Sequence, residues 1–135
     1  MVRWPLIATL AAASAVGTAG LGGTLTLSGS SEATALQARA VAVEFFRSQN
    51  ERRYDDTCRL LSNGFLRSHG LRDRRTCAAV MRVAFVWSEK IDFRIGSVTN
   101  AHGRVVVDAV ADRAPGRLVL GREDGELRIF AVEGE

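Results

Sequence analysis

The apolar residues in the first part of the chain recur every three or four positions, which is the spacing of one face of an α-helix. Three helices are predicted from this pattern. The first covers residues 32–49. The second begins with Asn50 as its N-cap and ends at Asn63 and Gly64, because glycine accepts the left-handed conformation that follows a helix. The third begins after Asp73, which can cap its first turn. Its predicted inward positions are Cys77, Val80, Met81 and Ala84.

In the second half of the chain, apolar and polar residues alternate, as they do in β-strands with one buried face. Three turn signals divide this part, at residues 100–103, 115–116 and 124–125. The last is Asp-Gly, which favours a type I′ hairpin because both central residues need a positive φ. The order of elements predicts an α+β fold, with three N-terminal helices packed on a bent antiparallel sheet of about four strands.

The N-terminal part of the chain has the composition of an export signal. Residues 4–31 carry no charged side chain, and Arg3 precedes them. A span of about 20 apolar residues crosses a bilayer core, so the segment is long enough to do so. Its most apolar part, residues 6–16, has the length of a signal-peptide h-region. Two alternatives remain open: cleavage near the small residues 19–20, or retention of residues 6–27 as a single transmembrane anchor.

Both alternatives place Arg3 in the cytoplasm and the rest of the chain outside it. The predicted organisation is therefore a signal peptide or anchor at residues 1–31 and one extracytoplasmic domain, secreted or membrane-anchored, at residues 32–135. The length of 135 residues allows no second domain. The net charge of +3 is too small to predict nucleic acid as a partner.

Cys58 and Cys77 are the only cysteines, and both follow the export segment. In an oxidising compartment such a pair usually forms a disulfide, which here would join the second predicted helix to the third. Closure of the loop between them stabilises the fold by about 3 kcal/mol in the chain-entropy model. The alternative is two reduced, buried thiols that pack as small apolar side chains. The sequence contains no C-x-x-C spacing, no metal-ligand set and no cofactor motif.

Two groups of residues are candidates for binding. Aromatic residues near the helix-to-strand junction either line a cavity or pack in the core; they are Tyr54, Phe85, Trp87 and Phe93. The densest charge feature either contacts an anionic lipid or polymer, or keeps a loop soluble; it consists of Arg67, Arg72, Arg74 and Arg75. No catalytic residue is assigned, because the sequence contains no nucleophile elbow, His-Glu-x-x-His motif or phosphate-binding glycine loop.

Four segments, taken in order, resemble the nuclear-transport-factor-2-like superfamily, also called the cystatin-like or SnoaL-like α+β cone. They are residues 42–46 (AVEFF), 58–62 (CRLLS), 77–79 (CAA) and 120–129 (LGREDGELRI). The chain is most similar to the small exported or membrane-anchored members of actinobacterial type. The resemblance extends over residues 32–133 and implies a bent sheet wrapped on helices. The family often has Trp in the closing strand, where this chain has Leu127.

The resemblance implies a fold and no particular activity, because one fold hosts unrelated functions. The leading prediction is a non-enzymatic accessory or binding domain, whose concave sheet face holds a small apolar ligand or a partner peptide. One alternative is an isomerase or cyclase that uses a lone Asp in the cone cavity as its general base. The acidic residues in or beside the predicted strands are Asp92, Asp108 and Asp112. A further alternative is an interaction scaffold that forms a homodimer through an edge strand.

Overall fold

The structure, a computed structural model, describes residues 29–134. Four helices come first within this range, and four strands follow. The helices are α1 (Gly29–Asn50), α2 (Tyr54–Arg59), α3 (Asn63–Ser68) and α4 (Arg74–Ala84). The strands are β1 (Phe93–Ala101), β2 (Arg104–Ala111), β3 (Ala114–Glu123) and β4 (Glu126–Gly134). The predicted signal or anchor lies almost wholly outside the described residues. No helix among residues 29–134 combines the length and the apolar character that a bilayer crossing requires.

The strands form an antiparallel sheet in the order β1-β2-β3-β4, which confirms the α+β class and the strand number. Consecutive strands are joined by two-residue turns at 102–103, 112–113 and 124–125. Both residues of each turn have a positive φ, as type I′ hairpins require. Register shifts interrupt the β1–β2 and β3–β4 ladders. Such bulges bend a strand and increase its local twist.

The predicted break at Pro115 and Gly116 is wrong, because both residues lie inside β3. The chain turns earlier, where Asp112 and Arg113 adopt left-handed φ angles of 52° and 73°. Pro115 is paired with Val110, next to the pair that closes this hairpin. Bonded and non-bonded pairs alternate along an antiparallel ladder, so the proline occupies a non-bonded position. Its missing N–H therefore costs no hydrogen bond to β2.

The structure has four helices where three were predicted. Asn50 ends α1 and does not cap the second helix, because its side chain binds the backbone of Ile91. Gly64 lies in the first turn of α3 and does not terminate a helix. This helix begins there because the Ser62 hydroxyl accepts a hydrogen bond from the backbone N–H of Phe65, at 3.0 Å. The third predicted helix is confirmed as α4, with Asp73 as its N-cap.

The core lies between α1 and the inward face of the sheet. Side chains that alternate along β2, β3 and β4 are fully or almost fully buried there, among them Val107, Ala111, Leu118, Leu120 and Ile129. Buried residues of α1, including Ala38, Ala42 and Phe46, pack in the same core. The inward face of the sheet, which was expected to hold a ligand or peptide, is therefore packed against the helical layer.

One edge of the sheet is covered by the segment that joins α2 to α3. The backbone N–H of Ser62 donates to the carbonyl of Ile129 at 2.9 Å, and the N–H of Ile129 donates to the carbonyl of Leu60 at 2.7 Å. These bonds form a short parallel bridge along β4. The segment thereby satisfies part of an edge that would otherwise present unpaired backbone groups.

Helix α4 packs on α2 and not on the sheet. The sulfur atoms of Cys58 in α2 and Cys77 in α4 lie 2.06 Å apart, at bonding distance, which confirms the predicted disulfide. Cys77, Ala78 and Met81 form the buried side of α4. The bonded cysteines favour an oxidising compartment for this protein. This arrangement leaves the opposite side of α4 turned outward.

Candidate functional site

The four aromatic residues predicted from the sequence do not surround one cavity. Tyr54 is buried and stacks on Phe85, with 6.2 Å between the ring centroids. Phe93 stacks on Phe46 of α1, at 4.9 Å. Trp87 is 90% exposed. Three of the four therefore pack in or against the core, as in the core-packing alternative, and Trp87 lies on the surface.

Most of the large apolar side chains that are exposed belong to α4 and the turn that follows it. The described residues include five large apolar side chains that are exposed, and four of these lie between residues 80 and 87. They are Val80, Val83, Val86 and Trp87, which together we call the α4 surface. Val83 is 76% exposed and Trp87 is 90% exposed, so their apolar side chains are largely in contact with solvent.

The prediction that Val80 and Ala84 point inward is wrong, since both are exposed. Ala78 takes the buried position beside Cys77, and with Met81 these residues form the buried side of α4. Sequence reasoning missed Val83 as a surface residue. The sequence holds no signal that separates Val83 from the inward residues, because the partner that decides which side of α4 is buried lies on α2.

The four arginines predicted as an anionic contact separate into two groups. Arg74 is half-buried and holds the start of α4 in place. Its guanidinium donates to the carbonyl of Leu61 at 2.6 Å and to the side-chain oxygen of Asn63 at 2.9 Å, and it lies 3.7 Å from the Glu123 carboxylate. The other three are exposed and make no ion pair within residues 29–134; they are Arg67, Arg72 and Arg75.

The two ends of α4 are fixed to different parts of the molecule. At its start, Glu123 accepts a hydrogen bond from the backbone N–H of Asn63 at 2.9 Å, next to Arg74. At its end, Arg52 donates to the carbonyls of Phe85 and Ser88, both at 3.2 Å. The exposed arginines therefore lie around the start of α4, and the α4 surface extends to its far end.

The outward face of the sheet carries a mixture of apolar and charged residues. The Arg104 guanidinium lies 4.1 Å from the centroid of the Phe130 ring, across Gly121, in a cation–π contact. A shallow pocket of about 360 Å³ opens on the same face. Its lining residues are Asp108, Pro115, Gly116, Arg117, Glu133 and Gly134. The pocket is polar, because Asp108 accepts a hydrogen bond from Ser97 at 2.7 Å and Arg117 pairs with Glu133 at 3.1 Å.

The three acidic residues named for an isomerase or cyclase are distributed over the surface. Asp92 is exposed before β1, and Asp108 points away from the helices. Asp112 is half-buried in a turn, where one carboxylate oxygen accepts the backbone N–H of Asp92 at 3.0 Å. The buried polar side chains among residues 29–134 are Ser48, Gln49, Thr57 and Ser62, none of which is an acid. The described residues also contain no group of His, Cys, Asp and Glu that could hold a metal ion.

No protein-family model matches the chain, and no curated protein matches it either. Among solved structures, a protein from Catenulispora acidiphila is similar, with a TM-score of 0.54 and 14% identity, over 80% of this chain and 94% of its own. A protein from Thiobacillus denitrificans, described as a calcium/calmodulin-dependent protein kinase type II association domain, matches with a TM-score of 0.51 and 16% identity, over 71% of this chain and 91% of its own. At these identities the likeness shows the fold alone, which is an α+β cone.

Proposed function

We propose that this chain is an exported, non-enzymatic accessory or binding domain, and that the α4 surface is where it binds its partner. The observation that carries the proposal is the clustering of Val80, Val83, Val86 and Trp87. Single exposed apolar side chains are ordinary on soluble proteins, whereas a contiguous group of them marks an interaction site. The inward face of the sheet is packed against the helices, which moves the proposed binding from that face to α4.

We also propose that the protein functions outside the cytoplasm and that it belongs to the nuclear-transport-factor-2-like superfamily. Residues 4–31 support export, either as a signal peptide that is removed or as an anchor that tethers the domain. The bonded Cys58 and Cys77 support an oxidising compartment. Support for the superfamily comes from the α+β cone fold together with the resembling segments, of which residues 120–129 form the last hairpin.

Site-specific photo-crosslinking in the exporting cell tests the proposal. A benzophenone amino acid replaces Val83, which is 76% exposed in the α4 surface, in the full chain. The matched control carries the same group at Leu36, which is 70% exposed on α1 and lies outside the cluster. We expect adducts from position 83 and far fewer from position 36. Equal yields at the two positions, or none at either, would contradict binding through α4.

A second function, an interaction scaffold, is favoured by the sheet. β1 is an edge strand, which pairs with β2 on one side and with no strand of residues 29–134 on the other. Apolar residues such as Val106 and Val119 lie on the outward face of the sheet. A structural neighbour is described as an association domain. Light scattering of the purified full chain tests this function: a dimer mass supports the scaffold, and a monomer mass at high concentration contradicts it.

A further inference from the structure

We propose that the α4 surface and the arginines beside it form a docking face for an anionic lipid bilayer. The inference deepens the proposed function and rests on it, because both assign binding to α4. Its occupant is the phosphate-bearing surface of a membrane, and its contacts are of two kinds: apolar side chains that enter the interface, and guanidinium groups that bind the lipid phosphates.

The geometry of α4 places an apolar stripe on its outer side, with two arginines along one edge of that stripe. With about 3.6 residues per turn, Val83 falls opposite the buried side of α4, which is centred on Met81. Val80 lies beside Val83, and Arg75 and Arg82 flank this apolar stripe along one side. Because α4 packs only its inner side on α2, the whole outer side can approach a flat surface.

The charge of this region matches an anionic surface. Residues 63–82 contain five arginines and a single acid, Asp73. The Asp73 carboxylate is occupied as the cap of α4, where it accepts the backbone N–H of Thr76 at 2.8 Å. Arg82 has only a long contact of 3.7 Å with the exposed Asp55, and such surface pairs hold a side chain weakly. Arg74 is held by its bonds to Leu61 and Asn63, but the other four arginines of this region are exposed. Their guanidinium groups are available to phosphate oxygens, which arginine can bind in a bidentate manner.

The apolar residues have the character of an interfacial anchor. Trp87, which is 90% exposed, belongs to a residue type enriched at the level of lipid headgroups, because its ring is amphipathic. Surface helices with an apolar side of this kind, flanked by Lys or Arg, lie in the plane of the membrane interface. Binding at such an interface scales with the apolar area that enters it and with the attraction of basic groups to anionic lipid, and it requires no complementary shape.

The path of the chain agrees with a bilayer as the occupant. Gln37, two turns into α1, receives a hydrogen bond from Arg122, and the neighbouring Glu123 contacts Arg74 at the start of α4. α1 and α4 therefore begin at the same end of the molecule. The described part of the chain therefore begins at the end of the molecule where the exposed arginines surround the start of α4. Stable membrane attachment generally combines two signals, and a tether together with a basic face supplies two.

The fluorescence of Trp87 tests docking of the α4 surface, and it does so even if the N-terminal anchor inserts into the vesicles. The full chain has two tryptophans, so the Trp4→Phe variant reports Trp87 alone. It is mixed with vesicles of phosphatidylcholine, or of phosphatidylcholine with phosphatidylglycerol, that contain brominated lipids as quenchers. We expect quenching and a blue shift with the anionic vesicles only. The Arg75→Gln/Arg82→Gln variant should require about 30-fold more anionic lipid for the same quenching.

The matched control is Arg94→Gln/Arg117→Gln, which removes the same charge from the outward face of the sheet. It should quench as the parent chain does. Equal quenching by neutral vesicles, equal loss in the two double variants, or no quenching at all would overturn lipid docking. A protein adduct from position 83 without lipid quenching leaves the proposed binding function standing and overturns this inference alone. Inorganic phosphate that competes with the vesicles at millimolar concentration would show a site for free phosphate in place of a membrane face.

Discussion

At the scale of single residues, Asn50 is the side chain that joins the helical part to the sheet. Its Oδ1 accepts the backbone N–H of Ile91 at 2.6 Å, and its Nδ2 donates to the carbonyl of Ile91 at 2.9 Å. The Asn50 amide thus makes the two hydrogen bonds to Ile91 that the backbone of a neighbouring strand would make, just before β1 begins. The residue fixes the end of α1 to a segment 41 positions further along the chain.

We expect Asn50→Ala to lower the free energy of unfolding by about 2 kcal/mol, because two hydrogen bonds to partly buried backbone groups are lost. Asn100→Ala is the matched control, since Asn100 is exposed near the end of β1. The control should change stability by no more than about 0.5 kcal/mol. Urea unfolding of the full-length variants measures both values, and equal losses would contradict the role assigned to Asn50.

Asn50 also shows why residue-level prediction fails at particular places. Its side chain suits an N-cap, and the local sequence therefore indicates a helix start. The same amide chemistry serves equally well for a backbone partner far away in sequence, and no local pattern contains that partner. Asp73 and Asp124 were predicted correctly, because the partners of a helix cap and of a tight turn lie within three residues.

At the scale of elements, α4 depends on its cap. The Asp73 carboxylate accepts the backbone N–H of Thr76, which lowers the pKa of Asp73 below the ordinary value of 3.8, and the charges of Arg72 and Arg75 act in the same direction. A carboxyl with a lower pKa in the folded state stabilises that state above the unfolded pKa. This contribution is lost as the pH falls from 3.8 through the folded pKa.

Asp73→Asn keeps a side chain that can cap α4 but removes the titration. We expect the difference in unfolding midpoint between the parent chain and this variant to be constant near neutral pH. Below pH 3.8 the midpoint of the parent chain should fall relative to that of the variant. Urea midpoints measured over this range check the expectation. A difference that stays constant down to pH about 2 would show that the folded pKa of Asp73 is ordinary.

The bond between Cys58 and Cys77 ties α2 to α4. Replacement of both residues by Ala should lower the free energy of unfolding by about 3 kcal/mol, because the unfolded chain regains the entropy of an open loop. Reductant should destabilise the parent chain and leave the Cys58→Ala/Cys77→Ala variant unchanged, which separates the bond from other effects of the reagent. A variant as stable as the oxidised parent chain would contradict a stabilising role for the bond.

The strands were predicted more accurately than the short helices, for a physical reason. Alternation of period two extends through the whole of β2 and through parts of the other strands, and turn residues mark two of the three hairpins. Helices α2 and α3 have six residues each, which is too short for a helical period to repeat. Gly64 predicts a helix end, but Ser62 two positions earlier supplies the cap that starts α3.

At the scale of the whole molecule, the fold is a sheet, a long helix across it, and a disulfide-linked pair of helices beyond. This order decides which surfaces remain available for binding. The apolar pattern of residues 77–86 predicts a helix correctly, but the buried side of that helix is set by α2, through Cys58. The α4 surface could therefore not be assigned from sequence, even though every one of its residues lies within a correctly predicted helix or just after it.

The proposal for the whole molecule makes a prediction about native material from the exporting cell. Intact-mass spectrometry of the culture and membrane fractions should find a chain lighter by two hydrogen atoms than its reduced form, since Cys58 and Cys77 form the only disulfide that the sequence allows within one chain. A mass without residues 1–19 or 1–20 in the medium indicates a cleaved signal peptide, whereas the full mass in the membrane fraction indicates an anchor.

Alkylation before reduction should add nothing to either species. Material that alkylates readily at both thiols without reductant would contradict maturation in an oxidising compartment, and with it the proposed export.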